Sequence, residues 1–192
     1  MVIPPDDRSL SEHDVGTLLH ALALAAERHA HQRRKGAAGF PYINHLIDVL
    51  VLLWDVGGVR DIVTLVAALL HDVLEDTPTS PMELEGIFGP EVRSVVEEVT
   101  DDKSLSKERR KALQVIHAPA LSRRAKLIKL ADKIHNVGAL VSDTPRDWSR
   151  ARLLAYMDWA DQVVAGLRGV NPALERRYDA TVAVVRQKLS EE

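Results

Sequence analysis

Apolar residues recur along this chain at the three- and four-residue spacing of amphipathic helices. The first stripe follows Ser11, which starts a segment resembling a capping box, and it predicts a helix to about Gln32. A basic, glycine-containing loop from Arg33 to Tyr42 comes next. The pattern then predicts a second helix that begins at Asn44-His45 and ends at Gly57-Gly58.

Capping residues mark the boundaries of the later helices. A third helix is expected to begin at Val59 or Arg60 and to carry the segment from Ala67 to Thr77 at its end. The other predicted helices run from Ser80-Pro81 to Phe88 before Gly89, from Pro90 to Thr100, from about Ser106 to His117, from Ser122 through Val137, from Thr144-Pro145 through Val163, and from Asn171-Pro172 to near Glu191.

The pattern indicates an all-α fold of about eight or nine helices, because no stretch shows the strict apolar alternation of strands. With 192 residues, of which 46% are hydrophobic, the chain is long enough for one well-filled core. We expect a single domain over residues 1–192, with a core at about 11–168 and a C-terminal helix at about 171–190.

Charge and composition exclude several classes of protein. The net charge of −3 comes from 25 basic and 28 acidic residues that are well mixed, so binding to DNA or RNA is not expected. The absence of cysteine excludes disulfides and thiolate metal sites, and it fits a cytoplasmic protein. Residues 1–10 lack the apolar core of a secretory signal. The apolar region 46–70 is interrupted by charges, so no membrane span is expected.

Candidate chemistry lies where the apolar run Ala67–Leu70 changes into four ionisable residues. His71 and Asp72 are adjacent, so on a helix their side chains point about 100° apart and can approach one ion from different sides. Glu75 and Asp76 lie one turn further along. Buried charge of this density is costly unless a cation compensates it. A lone His-Asp pair at a helix end is nevertheless more often a surface or capping pair.

Two further residues extend this candidate metal site. His45 and Asp132 join His71 and Asp72 as potential ligands, and this mixed nitrogen and oxygen set suits Mn²⁺, Fe²⁺, Co²⁺, Zn²⁺ or Mg²⁺. Taken singly, His45 reads as a packed or surface histidine, and Asp132 as the partner of Lys129 or Lys133 in a salt bridge.

Five segments of the chain resemble the HD-domain metal-dependent phosphohydrolases, and in particular the hydrolase domain of the RelA/SpoT family. These segments are Tyr42-Ile43-Asn44-His45, Ala67-Ala68-Leu69-Leu70-His71-Asp72 with Glu75-Asp76-Thr77, Phe88-Gly89, Glu97-Glu98-Val99-Thr100-Asp101, and Lys129-Leu130-Ala131-Asp132-Lys133 with Asn136. The similarity covers the chain from its first helix to Trp159, and no synthetase or regulatory region follows. The sequence therefore resembles the stand-alone small alarmone hydrolases of this family.

The resemblance implies an activity, a cofactor and a set of site residues. The family removes the 3′-pyrophosphate from guanosine 3′,5′-bis(diphosphate), ppGpp, and from its pentaphosphate relative, using Mn²⁺. By resemblance, the metal ligands are His45, His71, Asp72 and Asp132, the catalytic acidic pair is Glu75 and Asp76, and the nucleotide-binding residues are Arg34, Lys35, Asn136, Arg152 and Tyr156. The chain departs from the usual family pattern at His135 and at Val137-Gly138.

Two other functions remain open on the sequence alone. One is an HD-domain phosphatase for another nucleotide, for example a phosphorylated dinucleotide cofactor. The other is an alarmone-binding regulator without turnover, although the intact Glu75-Asp76 pair argues against it. The sequence does not determine the oligomeric state.

Overall fold

A computed structural model describes residues 9–191 of the chain, and within this range it is all-α, as the sequence predicts. Its ten α-helical segments are α1 (Glu12–Arg28), α2 (Tyr42–Val51), α3 (Ile62–Leu70), α4 (Val73–Asp76), α5 (Pro81–Phe88), α6 (Pro90–Val99), α7 (Lys107–His117), α8 (Arg123–Ser142), α9 (Arg150–Leu167) and α10 (Pro172–Glu191). Most of the segment 1–10, which lacks the apolar core of a secretory signal, lies outside the described residues.

Two helices occupy the centre of the fold. Helix α3 packs against α1, α2, α6 and α8, and every residue from Thr64 to Leu70 is buried. Helix α8 in turn contacts α2, α6, α9 and α10. Because both helices are packed on several sides, a few of their polar side chains are buried, namely Thr64 on α3 and Asp132 and Lys133 on α8.

Most predicted helix starts are confirmed by capping hydrogen bonds. The hydroxyl groups of Ser11, Ser80, Ser106 and Ser122 each accept a hydrogen bond from a backbone amide in the first turn of α1, α5, α7 and α8. Such bonds satisfy amides that have no partner within the helix. Helix α5 ends at Gly89, whose positive φ of 85° suits glycine.

Helices α2 and α3 begin at Tyr42 and Ile62, within three residues of the predicted starts, and three other differences from the sequence prediction follow. Helix α1 ends at Arg28 rather than near Gln32, because the Gln32 side chain turns away to donate a hydrogen bond to the carbonyl of Asp76. Helix α9 begins after Ser149 rather than at Thr144-Pro145, because Pro145 pairs with Gly36 in an isolated bridge.

The third difference is a break in the helix that carries the His-Asp pair. Helix α3 ends at Leu70, and α4 is a separate turn that begins at Val73. The Asp72 backbone, at φ −102° and ψ −1°, departs from regular helix geometry. Its carbonyl still accepts a hydrogen bond from the Asp76 amide at 2.8 Å, so the one-turn spacing of these two carboxylates is preserved.

The second helix also changes form before its predicted end. Residues Leu52–Val56 continue α2 as a π-helical turn, and the amide of Gly57 bonds to the carbonyl of Leu52. No helix among residues 9–191 is long and apolar enough to span a membrane. Buried residues from α1 to α10 form one cluster, while the single-domain organisation over 1–192 stays a prediction.

Candidate active site

The four predicted metal ligands come from two helices and a helix junction, and the fold brings them together. His45 lies on α2, Asp132 on α8, and His71 and Asp72 between α3 and α4. His45 Nε2 lies 3.2 Å from Asp132 Oδ1, and His71 Nε2 lies 3.2 Å from Asp72 Oδ2. The crossed pairs are also close, at 3.8 Å for His45 with Asp72 and 3.9 Å for His71 with Asp132.

Hydrogen bonds on the outer nitrogens orient both imidazoles toward this centre. His71 Nδ1 donates a hydrogen bond of 2.7 Å to the carbonyl of Ala68, so Nε2 is the ring nitrogen that faces the centre. That Nε2 is buried and has no hydrogen-bond partner. His45 Nδ1 lies 2.8 Å from His135 Nδ1, whose other ring nitrogen lies 3.2 Å from an Asp48 carboxylate oxygen. An orphaned imidazole nitrogen facing two carboxylates fits a divalent cation.

Burial and mutual proximity set the protonation of these groups. Burial lowers the pKa of His45 to about 4, so this imidazole is neutral. Burial acts in the same direction on His71, but Asp72 and Asp132 outweigh it and raise its pKa to about 9. The carboxyl groups of Asp72 and Asp132 would be penalised by burial, yet neighbouring cationic groups hold both pKa values well below the usual range. Two carboxylates thus stay ionised in a buried site, where positive charge must compensate them.

The predicted catalytic pair lies beside this centre on α4. Burial raises the pKa of Glu75, and the nearby carboxylates of Asp101, Asp72 and Asp76 raise it further. The Asp101 amide donates a hydrogen bond of 3.1 Å to Glu75 Oε2. Asp76 is more exposed and forms an ion pair with Lys103. Glu75 therefore binds a proton more readily than an ordinary glutamate does, as suits a group that accepts a proton.

Two further residues hold the candidate ligands in place. The Tyr42 hydroxyl donates a 2.7 Å hydrogen bond to Asp72 Oδ2, and burial followed by the charge of Asp72 raises its pKa, so it remains a donor. Lys133 Nζ lies 2.9 Å from Asp132 Oδ2, and this buried ion pair confirms the salt bridge considered for Asp132. The other oxygen of Asp132 still faces His45. One carboxylate therefore serves both partners.

A larger cavity of about 660 Å³ adjoins the acidic centre. The basic loop, residues 33–41, forms one wall, and both Arg34 and Lys35 line it. Arg34 Nη2 donates a 2.6 Å hydrogen bond to Asn136 Oδ1, and Asn136 Nδ2 donates one of 2.5 Å to Asp132 Oδ1. A continuous hydrogen-bonded chain thus joins the basic loop to the candidate metal ligands.

Aromatic rings and cations of α9 and of the segment before it form another wall. Tyr156 lies between Trp148 and Trp159, at ring-centroid distances of 5.5 and 5.3 Å. The guanidinium of Arg152 lies 4.4 Å from the centre of the Trp148 ring. All four side chains line the cavity, together with Lys107, Arg110 and Lys111 of α7. This wall offers flat faces for a base and positive charge for phosphates.

All eleven site residues predicted from sequence therefore lie at the acidic centre or in the adjoining cavity, while their roles stay predictions. The sequence did not assign a role to Tyr42 or His135, although Tyr42 lies within a recognised motif and His135 lies next to Asn136. It also missed the cations of α7, because a charged helix is usually a solvated surface. Only the packing of α7 against α9 shows which face borders the cavity.

Comparisons with known proteins agree with this geometry. A family model described as an HD domain matches residues 21–158. The chain is 51% identical over 166 residues to guanosine-3′,5′-bis(diphosphate) 3′-pyrophosphohydrolase MESH1 of Xenopus tropicalis, covering 86% of this chain and 93% of that protein. It is 52% identical over 162 residues to the Homo sapiens protein of the same name, covering 84% of this chain and 90% of that protein.

A solved structure is similar over nearly the whole length. It is described as a metazoan ortholog of SpoT that hydrolyses ppGpp and plays a role in starvation responses. It matches with a TM-score of 0.86 and 44% identity, covering 94% of this chain and 98% of that chain. The family resemblance of the sequence motifs is thereby confirmed, and a family of this kind implies a divalent metal. On the joint evidence of its donor cluster, its helical fold and these matches, this chain belongs to the HD-domain family.

Proposed function

We infer that this protein hydrolyses ppGpp, and its pentaphosphate relative, to GDP or GTP and pyrophosphate. One observation carries the inference: two imidazoles and two ionised carboxylates converge beside a 660 Å³ cavity whose other walls are cationic and aromatic. The relatives that match most of this chain are named as enzymes of this activity. The cavity is large enough for a nucleotide.

The acidic centre would hold the cation through His45, His71, Asp72 and Asp132. A divalent cation in such a site supplies a Lewis acid that lowers the pKa of water and polarises a phosphoryl oxygen. Tyr42 and Lys133 keep the two carboxylates oriented by their hydrogen bonds. Of the divalent cations, we propose Mn²⁺, since a mixed set of imidazole and carboxylate donors suits it and the family resemblance implies it.

The acidic pair, Glu75 and Asp76, activates the attacking water. Glu75 has a raised pKa, so it accepts a proton from the attacking water more readily than an ordinary carboxylate does. Asp76, one residue further on, orients the same water while Lys103 offsets its charge. Attack at the ribose-proximal phosphorus of the 3′-diphosphate forms one P–O bond and breaks the bond to the ribose oxygen. Pyrophosphate leaves, and the 3′-oxygen takes up a proton.

The cavity walls bind the rest of the nucleotide. Arg34 and Lys35 lie on the side of the basic loop and would offset phosphate charge. Asn136 links Arg34 to the acidic centre, so substrate charge and ligand geometry are coupled. Arg152 and Tyr156 contribute a stacked cation and a ring on the α9 side. We propose a small-molecule nucleotide as the partner, with no DNA, RNA or membrane, and a cytoplasmic location, as expected of a cysteine-free chain with mixed charge.

Product analysis tests this function directly. The purified protein is loaded with Mn²⁺ and incubated with ppGpp, and nucleotides and phosphates are separated by anion-exchange chromatography. We expect GDP and pyrophosphate in equal amounts. The Glu75→Gln variant, assayed in parallel, separates turnover by this protein from a contaminating hydrolase.

Two results would reject the proposal. Orthophosphate as the initial product, or faster turnover of a phosphorylated dinucleotide with ppGpp unchanged, would identify a phosphatase of another specificity. Saturable ppGpp binding without any product, with Mn²⁺ or the other divalent cations, would identify a binding regulator instead.

A further inference from the structure

The backbone of the basic loop, residues 33–41, is tied to the segment that follows α8. The amide of Ala37 donates a 3.1 Å hydrogen bond to the carbonyl of Thr144, and Arg146 Nη2 donates one of 2.8 Å to the carbonyl of Ala37. Gly36 and Pro145 form an isolated bridge at the same place. A bridge between Arg33 and Pro41 closes the base of the loop, and the segment that follows α8 holds its tip.

Asp143 supplies the one side-chain carboxylate in this contact. It caps the C-terminus of α8, and its Oδ1 accepts a 2.8 Å hydrogen bond from the amide of Ala38. The carboxyl group lies directly over the α-carbon of Gly36, where a methyl group would overlap all three of its atoms. The φ angle of Gly36 is not positive, so glycine is needed here for space rather than for backbone conformation.

This contact lies next to the residues that face the substrate cavity. Arg34 and Lys35 immediately precede Gly36 in the chain, and all three line the cavity with Asp143. Arg34 is also bonded to Asn136, two turns earlier on the same helix that ends at Asp143. Helix α8 therefore holds the loop at two points, once at Arg34 and once at Ala38. Losing the second point would leave this part of the loop held only by the segment 144–146, so Lys35 would be less restrained.

We propose that Asp143 is a positioning residue, which locks the basic loop against α8 so that Arg34 and Lys35 meet the phosphates of the substrate in a preorganised arrangement. This inference rests on the proposed hydrolysis of ppGpp. A preorganised loop lowers the entropy lost on binding, so Asp143 acts on substrate affinity rather than on the chemical step. Gly36 is the complementary half of the lock, since only glycine leaves room for the carboxylate.

Hydrogen exchange tests the lock without any substrate. In the Asp143→Ala variant, the amide of Ala38 loses its acceptor, and loss of one hydrogen bond corresponds to about a tenfold change in an opening equilibrium. We expect exchange of peptides covering residues 33–41 to accelerate by about that factor, with exchange in α3 and α8 unchanged. Asp147→Ala, an exposed aspartate in the same segment, is the matched control and should leave loop exchange at the wild-type rate.

Steady-state kinetics on ppGpp test the consequence. Asp143→Ala should raise KM about tenfold and change kcat less than twofold, because the affected cations contact charge present in both ground and transition states. Asp143→Asn retains an oxygen that can accept from Ala38, so it should restore KM to near the wild-type value. A direct contact between the Asp143 charge and the nucleotide would instead make Asn as defective as Ala.

A double-mutant cycle tests the role of Gly36. Gly36→Ala should raise KM as much as Asp143→Ala does, because the new methyl group displaces the carboxylate. In the Asp143→Ala background the same change should cost little, since the space is then free. Additive effects of the two changes would contradict the lock.

The outcomes separate this inference from the proposed function. If the wild-type protein fails to hydrolyse ppGpp, the function fails, while loop exchange still reports on the lock. If the wild-type enzyme is active but Asp143→Ala leaves loop exchange and KM unchanged, or lowers kcat alone, the positioning role is wrong.

Discussion

At the residue scale, the acidic centre depends on side chains that each have a second partner. His71 bonds outward to Ala68, Asp72 accepts from Tyr42, and Asp132 pairs with Lys133. In His71 and Asp132 one atom makes the outer contact and another faces the centre, whereas Asp72 Oδ2 both accepts from Tyr42 and faces the centre. Replacing one of these side chains therefore removes a ligand of the cation and leaves the helix that carries it in place.

Metal content gives the first prediction. Asp72→Ala and His71→Ala should each abolish bound divalent metal together with ppGpp hydrolysis, because each removes a donor from the set of four. Elemental analysis of the purified, dialysed variants measures this. His20→Ala, an exposed histidine on α1, should retain wild-type metal content. Full metal occupancy in both site variants would show that the metal binds elsewhere and that His71 and Asp72 are only a hydrogen-bonded pair.

Proton transfer gives the second prediction. Glu75→Gln should keep the metal and the fold but lower kcat by roughly 10²–10⁴, as expected for loss of a general base. Because the pKa of Glu75 is raised, wild-type kcat should fall as pH drops through a value above the ordinary range of glutamate. Below that pH, Glu75 is protonated and cannot accept a proton.

A pH series of kcat for both proteins distinguishes this role from a structural one. The acidic limb of the profile should be absent from the residual activity of Glu75→Gln. Glu12→Gln, an exposed glutamate at the start of α1, should keep both the rate and the limb. An unchanged limb in Glu75→Gln would assign it to another group.

At the element scale, α8 is the frame of the site. It carries Asp132 and Asn136 one turn apart, and it ends at Asp143 beside the basic loop. Ser122 caps the other end of the helix, away from these residues, and its hydroxyl accepts a hydrogen bond from the Ala125 amide. The residue that caps α8 is thus separate from the residues of α8 that lie in the candidate site.

Helix capping gives the third prediction. Ser122→Ala should lower the free energy of unfolding by about 1 kcal/mol, since a first-turn amide of α8 loses its acceptor. The value of kcat on ppGpp should stay within twofold of wild type. Denaturant unfolding followed by circular dichroism measures the stability, and Ser122→Thr should recover most of it. A cap variant as stable as wild type would mean that water replaces the hydroxyl fully.

At the scale of the whole molecule, α10 covers the outer side of α8. Its buried residues Leu174, Tyr178, Val185 and Leu189 continue the cluster that begins at α1. The Asn171 side chain caps this helix and also donates a hydrogen bond to the carbonyl of Gly57. The C-terminal helix therefore supports the helices that carry the acidic centre.

Core packing gives the fourth prediction. Leu174 is fully buried against Gly57, so Leu174→Ala should lower the free energy of unfolding by about 2–5 kcal/mol. Val184→Ala, at a position that is 52% exposed on the same helix, should change it by about 0.5 kcal/mol or less. Thermal and urea unfolding of the two variants gives the comparison. Equal stability of both would mean that α10 is not part of the core.

The sequence alone determined the helical class and most helix boundaries, because apolar spacing and capping residues act locally. Ser80-Pro81 and Gly89 predicted α5 to the residue, since their signals lie within one turn of the helix ends. Where a distant segment intervened, local signals failed. Gln32 leaves α1 to reach the Asp76 carbonyl, and Pro145 pairs with Gly36 instead of starting α9.

The candidate site divides in the same way. Its motif residues were recognisable from the sequence, because the spacing around His71-Asp72 and the segment at Asp132 resemble a known family. Only the tertiary structure placed His45 Nε2 3.2 Å from Asp132 Oδ1, across residues far apart in the chain. The partners Tyr42 and Asp143 were also found only in the tertiary structure. Their roles depend on distances between helices, which helix packing sets and which no local pattern of residues encodes.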